Sequence, residues 1–359
     1  MKILLLGFTI ILLSACTYQA NENTDLELVF SDSTYQLTGV AVSKSGRLFT
    51  NYPDWKGPHQ YALVEVMPVT RVAPYPNDTM NTWKPGENGM TKWVCVQAIN
   101  IDDQNNMWVV DPASPLQKGV YNNSQKLVEI NLDQNTVQRI YPLKGVTDNK
   151  SYINDVRVDT RSQYAYITNS SEGGIVVVDL KTGKARQVLQ GNESVIADTS
   201  YGLVVDHHEM KKNNSVFRAN ADGLALTADG KYLYYKPLTD NKLYRIETRY
   251  LKDSTLSVKE LSAKVEKLGS FCSTDGMACD KKGNLYLGDV ENNRIVKISP
   301  DLKMSTLIQD ERLVWPDSYQ ITDDGYLYIS CSEINKEPQY NEGIDKRTIP
   351  YAIYRIQLP

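Results

Sequence analysis

A short pattern of polar and apolar positions recurs six times along the chain. It consists of a polar residue, a small one, apolar positions in alternation, a turn centred on Gly or Asn, and an apolar pair ending in an aromatic. It runs through Thr38-Gly39-Val40-Ala41-Val42 before Ser45-Gly46 and Leu48-Phe49, and through Gln97-Ala98-Ile99-Asn100-Ile101 before Asn105 and Met107-Trp108. It returns at Asn154-Asp155-Val156-Arg157-Val158 before Ser162 and Ala165-Tyr166, and at Asp222-Gly223-Leu224-Ala225-Leu226 before Asp229-Gly230 and Leu233-Tyr234. The last two copies are Asp275-Gly276-Met277-Ala278-Cys279 before Lys282-Gly283 and Leu285-Tyr286, and Asp317-Ser318-Tyr319-Gln320-Ile321 before Asp324-Gly325 and Leu327-Tyr328. A period of two, a Gly-containing turn and a second apolar run predict a β-hairpin. One hairpin cannot bury its apolar face, so six of them at a spacing of roughly 40 to 65 residues predict a radial array of sheets. The expected fold is therefore all-β, a six-bladed β-propeller with four-stranded antiparallel blades.

Strand-like runs after each hairpin complete the blades, from Tyr61 to Val66 in the first to Tyr351 to Gln357 in the last. The last blade lacks an outer strand at its C-terminal end, while Leu26 to Phe30 precedes the first repeat without a hairpin of its own. An unpaired edge is a liability, so the N-terminal strand is expected to pair with the C-terminal blade and close the ring. Two connections, Met67 to Val96 and Gln190 to Ala221, exceed the usual length inside a compact domain, and both lead into an inner strand. They are expected to build a pocket at the channel mouth. The first carries Tyr75, Trp83 and Trp93, the second Tyr201, His207 and His208. Trp315 and the segment from Glu333 to Pro350 are expected at the same mouth.

Before the repeats, Lys2 and an apolar run from Ile3 to Leu13 read as a signal segment, too short for a permanent membrane span. Leu13-Ser14-Ala15-Cys16 resembles a bacterial lipobox, with cleavage before Cys16 leaving that thiol to carry a lipid. The expected organisation is a lipoprotein signal over 1–15, a flexible tether over 16–25 and one propeller over 26–359. This predicts an exported protein, anchored in the cell envelope on the periplasmic side or the cell surface. The net charge of −4 gives no footprint for nucleic acid. Membrane contact is expected through the lipid alone, and a monomer is expected. Cys95, Cys272, Cys279 and Cys331 could pair or stay as buried thiols, and no Cys/His spacing matches a zinc site.

The polar residue opening each inner strand is the candidate chemistry. Thr38, Gln97, Asn154, Asp222, Asp275 and Asp317 share one register, and a shared register in strands of period two means a shared direction, toward the central axis. Carboxylates, an amide and hydroxyls without imidazole or thiolate make a hard-oxygen set suited to Ca²⁺ or Mg²⁺. Asn154, Asp222, Asp275 and Asp317 are the candidate ligands, the cation relieving the repulsion among the three Asp. The alternative is a ring that orders water and caps strands. His207 or His208 would supply an acid/base group at the mouth, unless they are exposed loop residues. No nucleophile elbow, P-loop, HExxH or Rossmann fingerprint occurs.

These residues, with Pro74-Tyr75-Pro76-Asn77, Asn81-Thr82-Trp83, Lys236-Pro237-Leu238 and Trp315-Pro316-Asp317, resemble the major royal jelly protein and yellow family in its bacterial form. The resemblance implies a six-bladed propeller, export and a loosely defined activity. Some yellow-like proteins are associated with dopachrome conversion, others bind biogenic amines, and the royal jelly branch is largely non-enzymatic. The chain is similar, more distantly, to gluconolactonase and regucalcin propellers, which hold a divalent metal with Glu, Asn and Asp at inner-strand starts. By that likeness Asn154 is the channel-facing Asn, Asp222 stands where a metal-binding Asn is usual, and Asp275 is the metal ligand that also serves as base. Thr38 replaces the metal-binding Glu, which puts lactonase chemistry in doubt. Three functions follow as expectations: binding of a small polar or aromatic molecule at the mouth, with or without a divalent cation beneath it; a metal-dependent lactone hydrolase or dopachrome-type isomerase with Asp275 as base; or a protein-interaction platform.

Overall fold

Each of the six repeats folds as the first two strands of a four-stranded antiparallel sheet in the computed structural model, which describes residues 25–57, 59–69 and 71–359. Blade 1 comprises Val40–Val42, Leu48–Asn51, Leu63–Met67 and Arg71–Pro74. Blade 2 comprises Ala98–Ile101, Asn106–Asp111, Lys126–Asn131 and Thr136–Pro142, and blade 3 Ile153–Asp159, Tyr164–Asn169, Ile175–Asp179 and Ala185–Val188. Blade 4 comprises Ala221–Leu226, Tyr232–Pro237, Lys242–Glu247 and Glu266–Ser270, and blade 5 Met277–Cys279, Leu285–Asp289, Arg294–Ile298 and Met304–Gln309. Blade 6 is built from both ends of the chain. Its strands Pro316–Ile321, Tyr326–Cys331 and Tyr351–Gln357 are completed by Glu27–Asp32, which pairs antiparallel with Tyr351–Gln357. The expected ring closure is therefore present. The signal segment, Cys16 and most of the proposed tether lie outside the described residues.

The apolar positions of facing blades interdigitate into one core per blade interface. Phe49, Leu63, Val109 and Val128 meet between blades 1 and 2, and Tyr166, Val177, Leu233 and Tyr235 between blades 3 and 4. Phe30 and Ile353 pack on Val40 and Val64 where the ring closes. A hairpin that exposes an apolar face on each side thus finds cover only in a closed ring.

Toward the axis the inner strands come so close that side chains would collide. A Cβ on Gly223 would stand 2.2 Å from the carbonyl oxygen of Asp275, and one on Gly276 2.2 Å from that of Asp317. Hydroxyl side chains, one ahead of an inner strand and two on second strands, tie neighbouring blades together at the same level. Thr38 Oγ1 donates to the Gln97 carbonyl at 2.8 Å, Thr168 Oγ1 to that of Asp222, and Ser330 Oγ to that of Thr38.

Two expectations need correction, and one left open is decided. The connection from Met67 to Val96 contains the outer strand of blade 1, Arg71–Pro74, and its aromatic residues serve the core. Tyr75 and Trp93 are buried between blades 1 and 2, the Trp93 indole donating to the Tyr75 carbonyl, while Trp83 packs edge-on against Tyr121. The inner strands are also not uniform, since those of blades 3, 4 and 6 bulge across Asn154–Asp155, Asp222–Gly223 and Asp317–Ser318. A bulge re-aims the residues around it, so one shared register no longer means one shared direction. Finally, all four cysteines of the described residues are free thiols.

Because the interblade approach leaves no room at Gly223, G223A is expected to destabilise the ring by about 1–3 kcal/mol, the usual cost of overpacking. A denaturation midpoint unchanged from the parent would contradict this account of the axis.

Candidate active site at the channel mouth

A cavity of about 230 Å³ opens at one end of the channel. Gln97, Asn154, Asp222, Asp275 and Trp315 line it, as the sequence predicts. Thr38 and Asp317 do not. The Thr38 hydroxyl is spent between blades, donating to Gln97 and accepting from Asn51 Nδ2 at 2.9 Å. Asp317 is buried beside the cavity, its Oδ1 accepting from Ser318 Oγ at 3.2 Å and its Oδ2 without a partner. His207 and His208 are exposed and also absent from the lining. They belong to a two-residue hairpin turn between Val204–Val205 and His208–Glu209, where Asp206 and His207 take the positive φ that such a turn requires.

The rest of the second long connection does roof the mouth. Phe217, Arg218 and Ala219 line the cavity, and the Phe217 ring meets Tyr340 edge-on at 5.2 Å. Tyr340 comes from the segment after Cys331, which reaches the mouth as expected. Lys212 and Glu337 come from the two segments expected there, whereas Trp55, Lys150 and Tyr152 were not foreseen. Trp55, like Ser114 and Gln117, sits on a connection from second to third strand, which lies on the same face as the connections leading into inner strands. Antiparallel order alone gives that placement, so this part of the wall was legible in principle.

The floor holds two carboxyl groups within hydrogen-bond reach of each other, Asp222 and Asp275. Asn154 Nδ2 donates to Asp222 Oδ1 at 2.6 Å, and Trp315 Nε1 donates to Asp275 Oδ2 at 2.5 Å. Burial pushes the Asp222 carboxyl well above the usual carboxylate range, and repulsion from Asp275 and Asp155 adds to it. Burial likewise raises Asp275, against the pull of the Trp315 indole and of its hydrogen bond with Asp222. Two such carboxyls cannot both ionise cheaply, so they share a proton. Below them Asp155 is raised to about 6 by burial, partly offset by Arg157. The Arg157 guanidinium crosses the channel to the carbonyl of Met277 at 2.7 Å.

Trp315 holds a left-handed backbone, φ 53°, although it is bulky and fully buried. Such a conformation costs about 1–3 kcal/mol and persists only where surrounding packing over-determines it. Here Leu203, Leu238 and Val290 clamp the ring. The strain aims the indole N–H at Asp275.

This donor set differs from a cation site. One oxygen of each carboxyl is already engaged by an N–H donor, Asp222 Oδ1 by Asn154 and Asp275 Oδ2 by Trp315. Among the described residues no group of three or more His, Cys, Asp or Glu side chains is placed to hold a metal ion. The arrangement does not fit the Ca²⁺ or Mg²⁺ set expected from Asn154, Asp222, Asp275 and Asp317.

The family model described as major royal jelly protein matches residues 94–358, which include blades 2 to 5, three of the four strands of blade 6 and every cavity residue except Trp55. The chain belongs to the major royal jelly protein family. No curated protein matches it. Among solved structures this royal jelly family chain is similar to a gluconolactonase from Xanthomonas campestris, with a TM-score of 0.58 and 11% identity over 94% of this chain and 91% of the other. A virginiamycin B lyase from Staphylococcus aureus gives a TM-score of 0.52 and 12% identity over 94% of this chain and 100% of the other. The aldose sugar dehydrogenase of Streptomyces coelicolor, solved with PQQ bound, gives 0.55 and 11% over 93% and 98%. At such identities the likeness is one of fold, and this family member's site is read from its own residues.

The buried acids make stability depend on pH. A carboxyl raised in the folded state favours folding below its ordinary value, and that contribution is lost as pH rises through the folded value. For Asp155 the window runs from 3.8 to about 6, about 3 kcal/mol at full effect. Melting of the parent is therefore expected to weaken from pH 4 to 7, and D155N to flatten part of that slope. An equal slope in D155N would contradict the burial of this charge.

Proposed function

We propose that the cavity binds a small ring-bearing polar molecule, with the polar end on the Asp222–Asp275 pair and the ring against Trp315, Phe217 and Tyr340. The observation that carries this reading is a pair of buried carboxyls, Asp222 and Asp275, held by Asn154 and Trp315 at the floor of an aromatic-walled cavity too small for a polymer. Apolar walls with a few convergent polar groups and perturbed acids are the usual make-up of a ligand site. Membership of the royal jelly family supports the same reading, since small aromatic molecules are what the resemblance implies. Calorimetric titration of the chain lacking residues 1–16 against catechol amines, indoles, sugars and lactones is expected to yield binding in at least one class. Silence in all four, with capture of a protein partner, would favour an interaction platform instead.

One observation favours a second reading, a proton-transfer isomerase. The shared proton gives Asp275 both an acid and a base form near neutral pH, the condition for general acid–base work. In a tautomerisation Asp275 would take a proton from carbon or oxygen and return it elsewhere on the same molecule, with Asn154 and Trp315 holding the carboxyl in place. D275N is then expected to keep binding and to lose turnover by about 10²–10⁴-fold, and chelator to leave the parent unaffected. Loss of activity on chelation would restore the metal-dependent lactonase.

Export and lipid attachment at Cys16 belong to the same proposal. The strand Glu27–Asp32 runs from the face opposite the cavity toward it, Glu27 pairing with Arg355 and Asp32 with Tyr351. A tether leaving before Glu27 would direct the cavity away from the membrane. C16S is expected to move the protein from the membrane to the soluble fraction, and retention on the membrane would refute the anchor.

A further inference from the structure

Beside the carboxyl pair, the cavity wall carries a second fixed element. Trp55 Nε1 donates to the Tyr152 hydroxyl at 2.6 Å, and that hydroxyl donates to Gln97 Oε1 at 2.7 Å. The direction is forced by chemistry. An indole nitrogen can only donate, so the phenol oxygen accepts there and has one proton left to give. Its other neighbour, Cys95 Sγ, stands 4.0 Å away, a poor competitor for that proton. The Gln97 amide is thereby held with its oxygen turned to Tyr152. Its Nε2 is the end of the amide turned away from Tyr152, and Gln97 is a cavity wall residue. Lys150, Lys212 and Arg218 line the same cavity.

We propose that Trp55 and Tyr152 are positioning residues that lock Gln97 as a hydrogen-bond donor into the cavity, so that the site selects a ring compound with an acceptor head, a carbonyl or carboxylate oxygen, over one with an ammonium head. This rests on the reading of the cavity as a ligand site and narrows it. Lys150, Lys212 and Arg218 outnumber Glu337 on the wall and favour the same sign of ligand, whereas the proton of the carboxyl pair is spent between its two members and is not offered to it. An ammonium head would instead meet the Gln97 N–H groups with no acceptor among them and leave both sides unpaired.

The test uses two probes that share a ring, 4-hydroxybenzoate and 4-hydroxybenzylamine, titrated by calorimetry against the chain lacking residues 1–16. The parent is expected to bind the benzoate at least about tenfold tighter, the worth of one charge-assisted hydrogen bond. Y152F removes the proton that fixes the amide, and the ratio is expected to narrow by about threefold to tenfold through loss of one hydrogen bond. Q97E replaces the donor by an acceptor, and the preference is expected to invert. Should Q97E fail to fold, Y152F alone decides, since it keeps ring and volume. Binding of the benzoate with an unchanged ratio in the variants overturns the role of Gln97 and leaves the ligand site standing. Equal binding of both probes by the parent overturns it too, and no binding of either overturns the ligand site together with this refinement.

Discussion

Asp155, Asp222, Asp275 and Asp317 are all buried at the axis where six inner strands converge, and in a low-dielectric interior their charges repel one another. Two cations lie among them, Arg157 and the fully buried Lys236, whose ammonium donates to the carbonyls of Pro237 and Asp240. That is too little charge to balance four carboxylates. Burial therefore raises all four carboxyls above the usual range and favours their protonated forms, Asp222 and Asp275 standing within hydrogen-bond reach of each other. The cavity chemistry, the pH dependence of stability and the strained backbone of Trp315 all follow from this arrangement. An unprotonated pair would push its members apart and take Asn154 and Trp315 with them.

The same crowding explains the fold at its centre. Glycine at 223 and 276 lets the Asp275 and Asp317 carbonyls of the next blade approach, while at other interfaces Thr38, Thr168 and Ser330 bond the carbonyls of Gln97, Asp222 and Thr38 in the next blade. The ring is thus closed twice, at its rim by Glu27–Asp32 and at its axis by side chain to backbone bonds. The axis is rigid enough to hold an indole in a costly conformation.

Much of this was legible in the sequence. The apolar alternation of Val40 to Val42 or Leu224 to Leu226, followed by a Gly turn, carries the hairpin, and six copies carry the ring. The strand pairing of Leu26 to Phe30 followed from counting edges. The site was half legible. Equal register brought Gln97, Asn154, Asp222 and Asp275 to one cavity, while Asp317, on a strand bulged like those of Asn154 and Asp222, is buried beside it with Ser318. Thr38 failed for another reason, because a hydroxyl can be consumed between blades as readily as it can face a channel. Neither His207 nor His208 carries a sequence signal that distinguishes a pocket residue from a hairpin turn. Tyr152 and Trp55 were missed because they act only through Gln97, a relation that spans three blades and has no local spacing.

What the pair replaces is also informative. A hard-oxygen set and a shared proton are two answers to the same repulsion, and composition alone does not separate them. Geometry does, because Asn154 and Trp315 bring N–H donors to oxygens that a cation would have to claim. Carbon-detected NMR of the Asp carboxyl groups in the metal-free protein at pH 7 reads this directly. The account predicts a neutral carboxyl belonging to Asp222 and Asp275, whose signal persists when Ca²⁺ is added. Two ionised carboxylates that shift on addition of Ca²⁺ would contradict it.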